Sequence, residues 1–244
     1  MKERIIYEVK DTQRLLRALP SGAVAMFCMS VVLMNLLANK EVSTGIEWFA
    51  LDCGFVLSWV SFLSMDVVTK RFGPKAAIKL SLFAVTVNLG VCVILKAVSA
   101  VPGNWGAFYE LGTEHANTAL DSTIGGTWYV LFGSTVALIA SSIVNSTMNH
   151  TIGKHLRANN FTSFAIRSYV STLFGQFVDN LVFSLIVSYH FFGWSLTQCV
   201  TCSILGCLVE LLCEVIFSPL GFKISQKWED DNVGAEYLGG SKCE

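Results

Sequence analysis

Residues 171–184 read STLFGQFVDNLVFS, and Gln176, Asp179 and Asn180 sit there among Phe, Leu and Val. A carboxylate accepts hydrogen bonds on two oxygens, and an amide both donates and accepts. An acid at the centre of a membrane-spanning helix costs about 2.5–3.5 kcal/mol to insert, so such residues face a bundle interior or a water-filled cavity. Upstream, Ser168, Ser171, Thr172, Gly175, Gln176 and Asp179 recur at three- and four-residue steps. Helical geometry gathers them on one stripe, with Phe174, Phe177, Leu181 and Leu185 pointing elsewhere. Ser, Thr and Gly on such a stripe equally suit close helix packing. Asp179 and Gln176 are read as a binding site. Arg167 lies about 18 Å of helix rise before Asp179, which puts Arg167 near a membrane rim and Asp179 near mid-depth.

Other apolar stretches add candidates. MNLLANK holds Asn35 and Asn39 one turn apart, and SMDVVTKRFG holds Asp66 close to a run of basic residues. Ser141, Ser142, Asn145 and Asn149 share one helical face, and Glu210 and Glu214 stand four residues apart. Trp59, one to two turns before Asp66, is a candidate stacking residue. Trp48, Trp128 and Trp194 are read as interfacial belt or packing residues. Asn39, Asn149 and Lys70 suit interfacial anchoring, and snorkelling to headgroups is the rival role for Arg167. Cys199-Val-Thr-Cys202 has the spacing of a redox or zinc pair, but no second pair and no nearby His accompanies it, so the cysteines are read as small apolar residues. No metal or cofactor is expected. Neither a G-x-S-x-G elbow nor a Walker A loop occurs, which speaks against an intramembrane hydrolase and against ATP hydrolysis by this chain.

The elements that must position these residues follow from composition. The 244 residues are 53% hydrophobic and 14% charged, where a soluble domain carries about a quarter charged residues. Net charge is -1, which gives no sign of a nucleic-acid partner; the lipid bilayer is the expected one. Six stretches approach the roughly 20 apolar residues that a spanning helix needs: Pro20–Asn39, Trp48–Thr69, Ala77–Ala100, Ile124–Asn149, Phe164–Tyr189 and Ser195–Leu220. Absence of period-2 alternation excludes a barrel. The expected fold is all-α, a polytopic membrane protein. It has a cytosolic amphipathic segment at 1–19, a six-helix domain at 20–220 and a cytosolic tail at 221–244. Fifteen of the 17 basic residues fall on the side of the termini; Lys40 and Lys96 do not. By the positive-inside rule both termini are cytosolic.

STLFGQFVDNLVF resembles the fifth-span signature of the queuosine precursor transporters, the YhhQ-like or VUT vitamin-uptake family. MDVVTKRFGPKAA is similar to that family's second-span segment through Asp66, Phe72, Gly73 and Ala77. MNLLANK and Pro219 fit in the same order. The chain departs from the pattern at Lys70 and Glu210, whose signs look exchanged, and at Asn145, where an Asp is common. The exchange leads to the expectation of a Lys70–Glu210 ion pair.

The resemblance implies a transporter in the plasma membrane importing a 7-deazaguanine base by alternating access. Such a base presents two donors that one carboxylate can accept, a carbonyl that needs a donor, and a flat face for an aromatic. Asp179 would take the donor edge, with Gln176 and Asn35 as amide partners. Asp66, Arg167 and Glu210 would line or gate the path, Asn145 is a further substrate-binding candidate, and Glu214 would meet a cationic substituent. The alternative is a substrate-binding membrane component that docks onto a separate energising module; a homo-oligomer is a further assembly compatible with the sequence.

Overall fold

The computed structural model describes residues 2–40, 42, 46, 51–106, 114–156, 160–191 and 193–240. Trp48, Arg157, Lys242 and Cys243 lie outside them. The principal elements are α1 (Lys2–Ala18), α2 (Ser21–Leu37), α3 (Phe55–Phe72), α4 (Pro74–Ser99), α5 (Glu114–Gly125), α6 (Trp128–His155), α7 (Phe161–Phe183), α8 (Tyr189–Phe191), α9 (Leu196–Asp230) and α10 (Ala235–Gly240). A π turn at Ser184–Ser188 continues α7. No β-strand forms among the described residues. Two backbone bonds, Val42 N to Leu51 O and Cys53 N to Lys40 O, each 2.8 Å, tie the segment after α2 to the approach to α3.

Helix ends follow local chemistry. Asn160 caps α7 by accepting from Ser163 N at 2.8 Å. Ser195 and Gln198 form a reciprocal capping box at the start of α9. Gly73 adopts φ +86°, a conformation glycine tolerates, and Pro74 at the first helical position then opens α4.

Among the described residues four segments are long and apolar enough to cross a membrane: Pro74–Ser99, His115–His155, Phe161–Ser188 and Leu196–Asp230. Ile5–Ala18 and Ser21–Leu37, bent by 113°, make a fifth if taken together. The second expected span is the weakest, because α3 has only 18 residues, of which Asp66, Lys70 and Arg71 are charged. The sixth runs ten residues past the expected Leu220, to Asp230.

Contacts set the helix directions. Asn149 meets Ser171 and Ser141 meets Asp179, so α6 and α7 are antiparallel. Asn180 meets Glu210 and Ser168 meets Glu214, so α7 and α9 are antiparallel too. Ser58 meets Glu210 and Lys70 meets Glu229, which makes α3 parallel to α9. Ser81 packs between Met65 and Ser142, and Asn35 meets Ser134. Thus α2, α4 and α7 run one way and α3, α6 and α9 the other.

The bundle is polar inside and apolar outside, the reverse of a soluble domain. Val93, Ile94, Phe132, Leu212 and Ile216 are exposed, while Ser141, Asn145, Asn149, Ser168, Thr172 and Gln176 are fully buried. An apolar core including Phe27, Phe62, Met65, Leu80 and Phe164 fills one half of the bundle and continues to Leu15 of α1 and Trp228 of α9. At that end Lys79 pairs with Glu8 (2.8 Å) and Asp11, and Tyr237 donates to Asp11 at 3.1 Å. Arg71 Nε donates to Val233 O at 3.0 Å, closing α10 onto α3.

Candidate functional site

Polar residues from α3, α6, α7 and α9 assemble in two layers. The layer nearer α1 centres on Asp66, which is 0% exposed. Asn149 Nδ2 and Asn145 Nδ2 donate to its Oδ1 at 2.7 and 3.0 Å. Ser168 donates to Oδ2, with Thr172 at 3.4 Å. Arg167 reaches Asn149 Oδ1 through Nε at 2.9 Å and through Nη2. A positive charge therefore acts on Asp66 through an amide. Ser168 also contacts Glu214, which is 0% exposed. Glycine makes the layer possible: a Cβ at Gly175 would lie 2.8 Å from Asn145 Cβ and 2.9 Å from Phe62 Cε1. Only its absence lets α7 approach α6 and α3 there.

The second layer lines a cavity between the end of α2, the start of α3, the end of α7 and α9. Its empty volume is about 590 Å³, including space that opens to solvent. Asp52, Asp179 and Glu210 are its acids; Asn35, Asn180, Ser58 and Ser134 are further polar lining; Phe55, Phe183 and Trp194 supply aromatic surface. Ser141 donates to Asp179 Oδ1 at 2.7 Å. Glu210, 2% exposed, takes Ser58 on one oxygen and Asn180 Nδ2 on the other at 3.1 Å. Ser134 donates to Asn35 Oδ1. This arrangement offers several acceptors and aromatic faces to a small polar guest, as ligand pockets do.

The structure brings Asp179, Glu210 and Asn35 to the cavity. Asp66, Asn145, Arg167 and Glu214 do not line it; they form the other layer. Gln176 is fully buried off the cavity lining, and both its amide atoms lack a hydrogen-bond partner. Trp59 is also off the lining: its ring stacks on Phe217 at 4.1 Å and 10°, and Nε1 donates to Val56 O. Trp194, read from sequence as belt or packing, lines the cavity instead.

The expected Lys70–Glu210 ion pair is absent. Lys70 Nζ lies 3.5 Å from Glu229 Oε1, and 5.3 Å from the Phe222 ring centroid. Glu210 precedes Glu229 by about 28 Å of helix rise, and the parallel course of α3 and α9 keeps the two ends apart. The exchanged signs in the sequence lie on opposite ends of the bundle.

Sequence reasoning missed Asp52, Asn180, Ser58, Ser134 and Trp194 as lining. Asn180 had a signal, since it follows Asp179 directly. Asp52 lies two residues before the Gly54 whose N–H it accepts at 2.7 Å; such an Asp reads as turn chemistry. Among the described residues no group of three or more His, Cys, Asp or Glu side chains is placed to hold a metal ion.

No curated protein and no solved structure matches the chain. The model of the family described as "Putative vitamin uptake transporter" matches residues 52–223. That span covers the whole of the Asp66 layer and every cavity-lining residue except Met34, Asn35, Ala38 and Leu51. It is more than two thirds of the chain, and the chain belongs to this family of membrane transporters.

Proposed function

We propose that the chain imports a 7-deazaguanine precursor of queuosine across the plasma membrane by alternating access. The reading has six crossings, α2, α3, α4, α6, α7 and α9, and both termini in the cytosol. The alternating helix directions and the basic residues near the α1 end support that topology. The observation that carries the cargo assignment is the cavity. There Asp179 and Glu210 converge with Asn35, Asn180 and the Trp194 ring.

The chemistry runs from these groups. The N1–H and exocyclic amine of a guanine-like base form a two-donor edge, which one carboxylate accepts on two oxygens. Asp179 fills that role, since Ser141 occupies only one of its oxygens among the described contacts. Asn35 or Asn180 donates to the base carbonyl, and Trp194 covers a face. Gating residues would then come from the ends of α2, α3 and α9 that surround the cavity. Arg167 and Asp66 act on the path beyond it, as part of the layer nearer α1.

The test is complementation. The chain is expressed in cells unable to make the deazaguanine base, which are fed 7-cyano-7-deazaguanine, 7-aminomethyl-7-deazaguanine or queuine. Modified tRNA should appear with at least one of them, and Asp179→Ala should abolish it while inserted protein stays at the wild-type level. Modification that survives Asp179→Ala, or that needs a co-expressed ATPase, contradicts the reading.

A further inference from the structure

Two buried acids outside the cavity meet at a single hydroxyl. Ser168 Oγ lies within hydrogen-bond distance of both Asp66 Oδ2 and Glu214 Oε1. A serine hydroxyl carries one hydrogen, so it donates to only one of them. The other contact requires a hydrogen that belongs to the carboxyl itself. Two ionised carboxylates there would leave lone pairs facing one another, with both side chains 0% exposed and uncompensated charge costly. A single proton shared by the pair removes that repulsion.

The surroundings decide where it sits. Asp66 is built for charge: Asn149 and Asn145 donate at 2.7 and 3.0 Å, with Ser171 and Thr172 at 3.4 Å and Arg167 behind Asn149. Glu214 Oε2 is buried without a well-formed hydrogen bond, and among the described residues only Ser168, Thr172 and Asp66 stand near the carboxyl as partners. A neutral acid tolerates that position far better than an anion. The charged groups on the packed elements are few. From α3 come Asp66, Lys70 paired to Glu229, and Arg71 turned to Val233 O; from α7 comes Arg167, with His150 and Lys154 of α6 beyond it; on α9 itself Glu210 lies one turn away. Facing side chains of α6 are the amides Asn145 and Asn149.

We propose that Glu214 is the proton-carrying residue of the transport cycle, exchanging its proton with Asp66 through Ser168. In that exchange the Glu214 Oε1–H bond breaks as Ser168 Oγ takes the hydrogen, and Ser168 gives its own hydrogen to Asp66 Oδ2. Net charge of the pair is unchanged until a proton leaves to one side of the membrane. Coupling to cargo is short-range, because Glu210 in the cavity and Glu214 are one turn apart on α9. This coupling rests on the deazaguanine reading above; the proton site itself rests only on Ser168 and its two acids.

The experiment uses the full chain in sodium-free proteoliposomes with labelled 7-cyano-7-deazaguanine. An outside-acid gradient should drive wild-type accumulation above equilibrium, and a protonophore should abolish it. Glu214→Gln should exchange internal for external cargo within about twofold of wild type while its accumulation ratio falls to unity. Wild type that exchanges cargo but ignores the gradient overturns the proposal, as does gradient-driven accumulation by Glu214→Gln. Should Glu214→Gln fail to insert, Ser168→Ala takes its place with the same two outcomes. A wild type that neither binds nor exchanges any deazaguanine sinks the cargo reading instead. In that case the infrared spectrum still tests the proton: a protonated-carboxyl band at neutral pH, lost in Glu214→Gln, is expected, and its absence from wild type overturns the assignment.

Discussion

Replacing Gly206 by alanine should weaken cargo binding by displacing Asn180 of the cavity wall. A Cβ at Gly206 would lie 2.7 Å from Asn180 Nδ2 and 3.3 Å from Asn180 Cγ. The amide must swing away, and with it goes the 3.1 Å bond from Asn180 Nδ2 to Glu210 Oε2. Glu210 is 2% exposed, so water cannot replace the lost donor freely. Leaving a buried acceptor without its partner costs about 1–3 kcal/mol, which corresponds to about 5- to 150-fold if it falls on binding. The assay is equilibrium binding of 7-cyano-7-deazaguanine to detergent-purified variants, arranged as a double-mutant cycle with Asn180→Ala. If the methyl acts by displacing Asn180, Gly206→Ala should cost almost nothing once that amide is gone. Gly90→Ala is the control: it is exposed, and its Cβ would meet nothing within 4 Å. An equal loss in the wild-type and Asn180→Ala backgrounds refutes the reasoning, and so does an unchanged affinity.

Three more outcomes follow from the same geometry. Asp66→Ala removes the acceptor shared by Asn145, Asn149 and Ser168 and should destabilise the fold by about 2–5 kcal/mol; loss of monodisperse protein in size exclusion reads it, and a stable variant contradicts it. Lys70→Glu should depress folded yield, and the further change Glu229→Lys should restore it, whereas Glu210→Lys should not, because Lys70 lies beside Glu229. Burial, then the negative charge and hydrogen bond of Asp11, push the Tyr237 hydroxyl up to about 12. A raised value means that the phenol's contact with Asp11 stabilises the α1–α10 contact fully below the ordinary tyrosine range near pH 10 and is lost as pH climbs towards 12. Absorbance titration should show a late tyrosinate step that Tyr237→Phe removes; an unchanged curve would refute it.

Much of the fold is visible in the sequence because lipid imposes a simple rule. Long apolar runs must be helices, since backbone groups find no water in hydrocarbon, and α4, α6, α7 and α9 follow. Boundaries are harder. The charged end of α9 continues as helix to Asp230 because Ser218, Gly221, Ser225 and Trp228 remain buried against the bundle, a tertiary cause that hydropathy does not carry. For the site, periodicity along one helix identifies Asp179 but says nothing of who faces it. Gln176 shares the stripe with Asp179 yet lies off the cavity lining, because α7 is packed on several sides and its stripe serves two layers. Asp66, Asn145 and Glu214 are buried and Arg167 is half-buried, off the cavity lining. Their mutual contact, and not cargo contact, is what the fold reveals. Trp59, an aromatic near an acid along the chain, is turned to Phe217 in space.

The central claim is that Asp179, at the cavity, accepts the two-donor edge of a guanine-like base. Direct binding to the purified chain tests it best, comparing 7-deazaguanine with 7-deazahypoxanthine, which lacks the exocyclic amine. One hydrogen bond to a charged group is worth about 1.5–3 kcal/mol. Deazaguanine should therefore bind about 10- to 150-fold more tightly, and Asp179→Asn should erase the difference. Equal affinity for the two bases, or a preference that survives Asp179→Asn, would contradict the account.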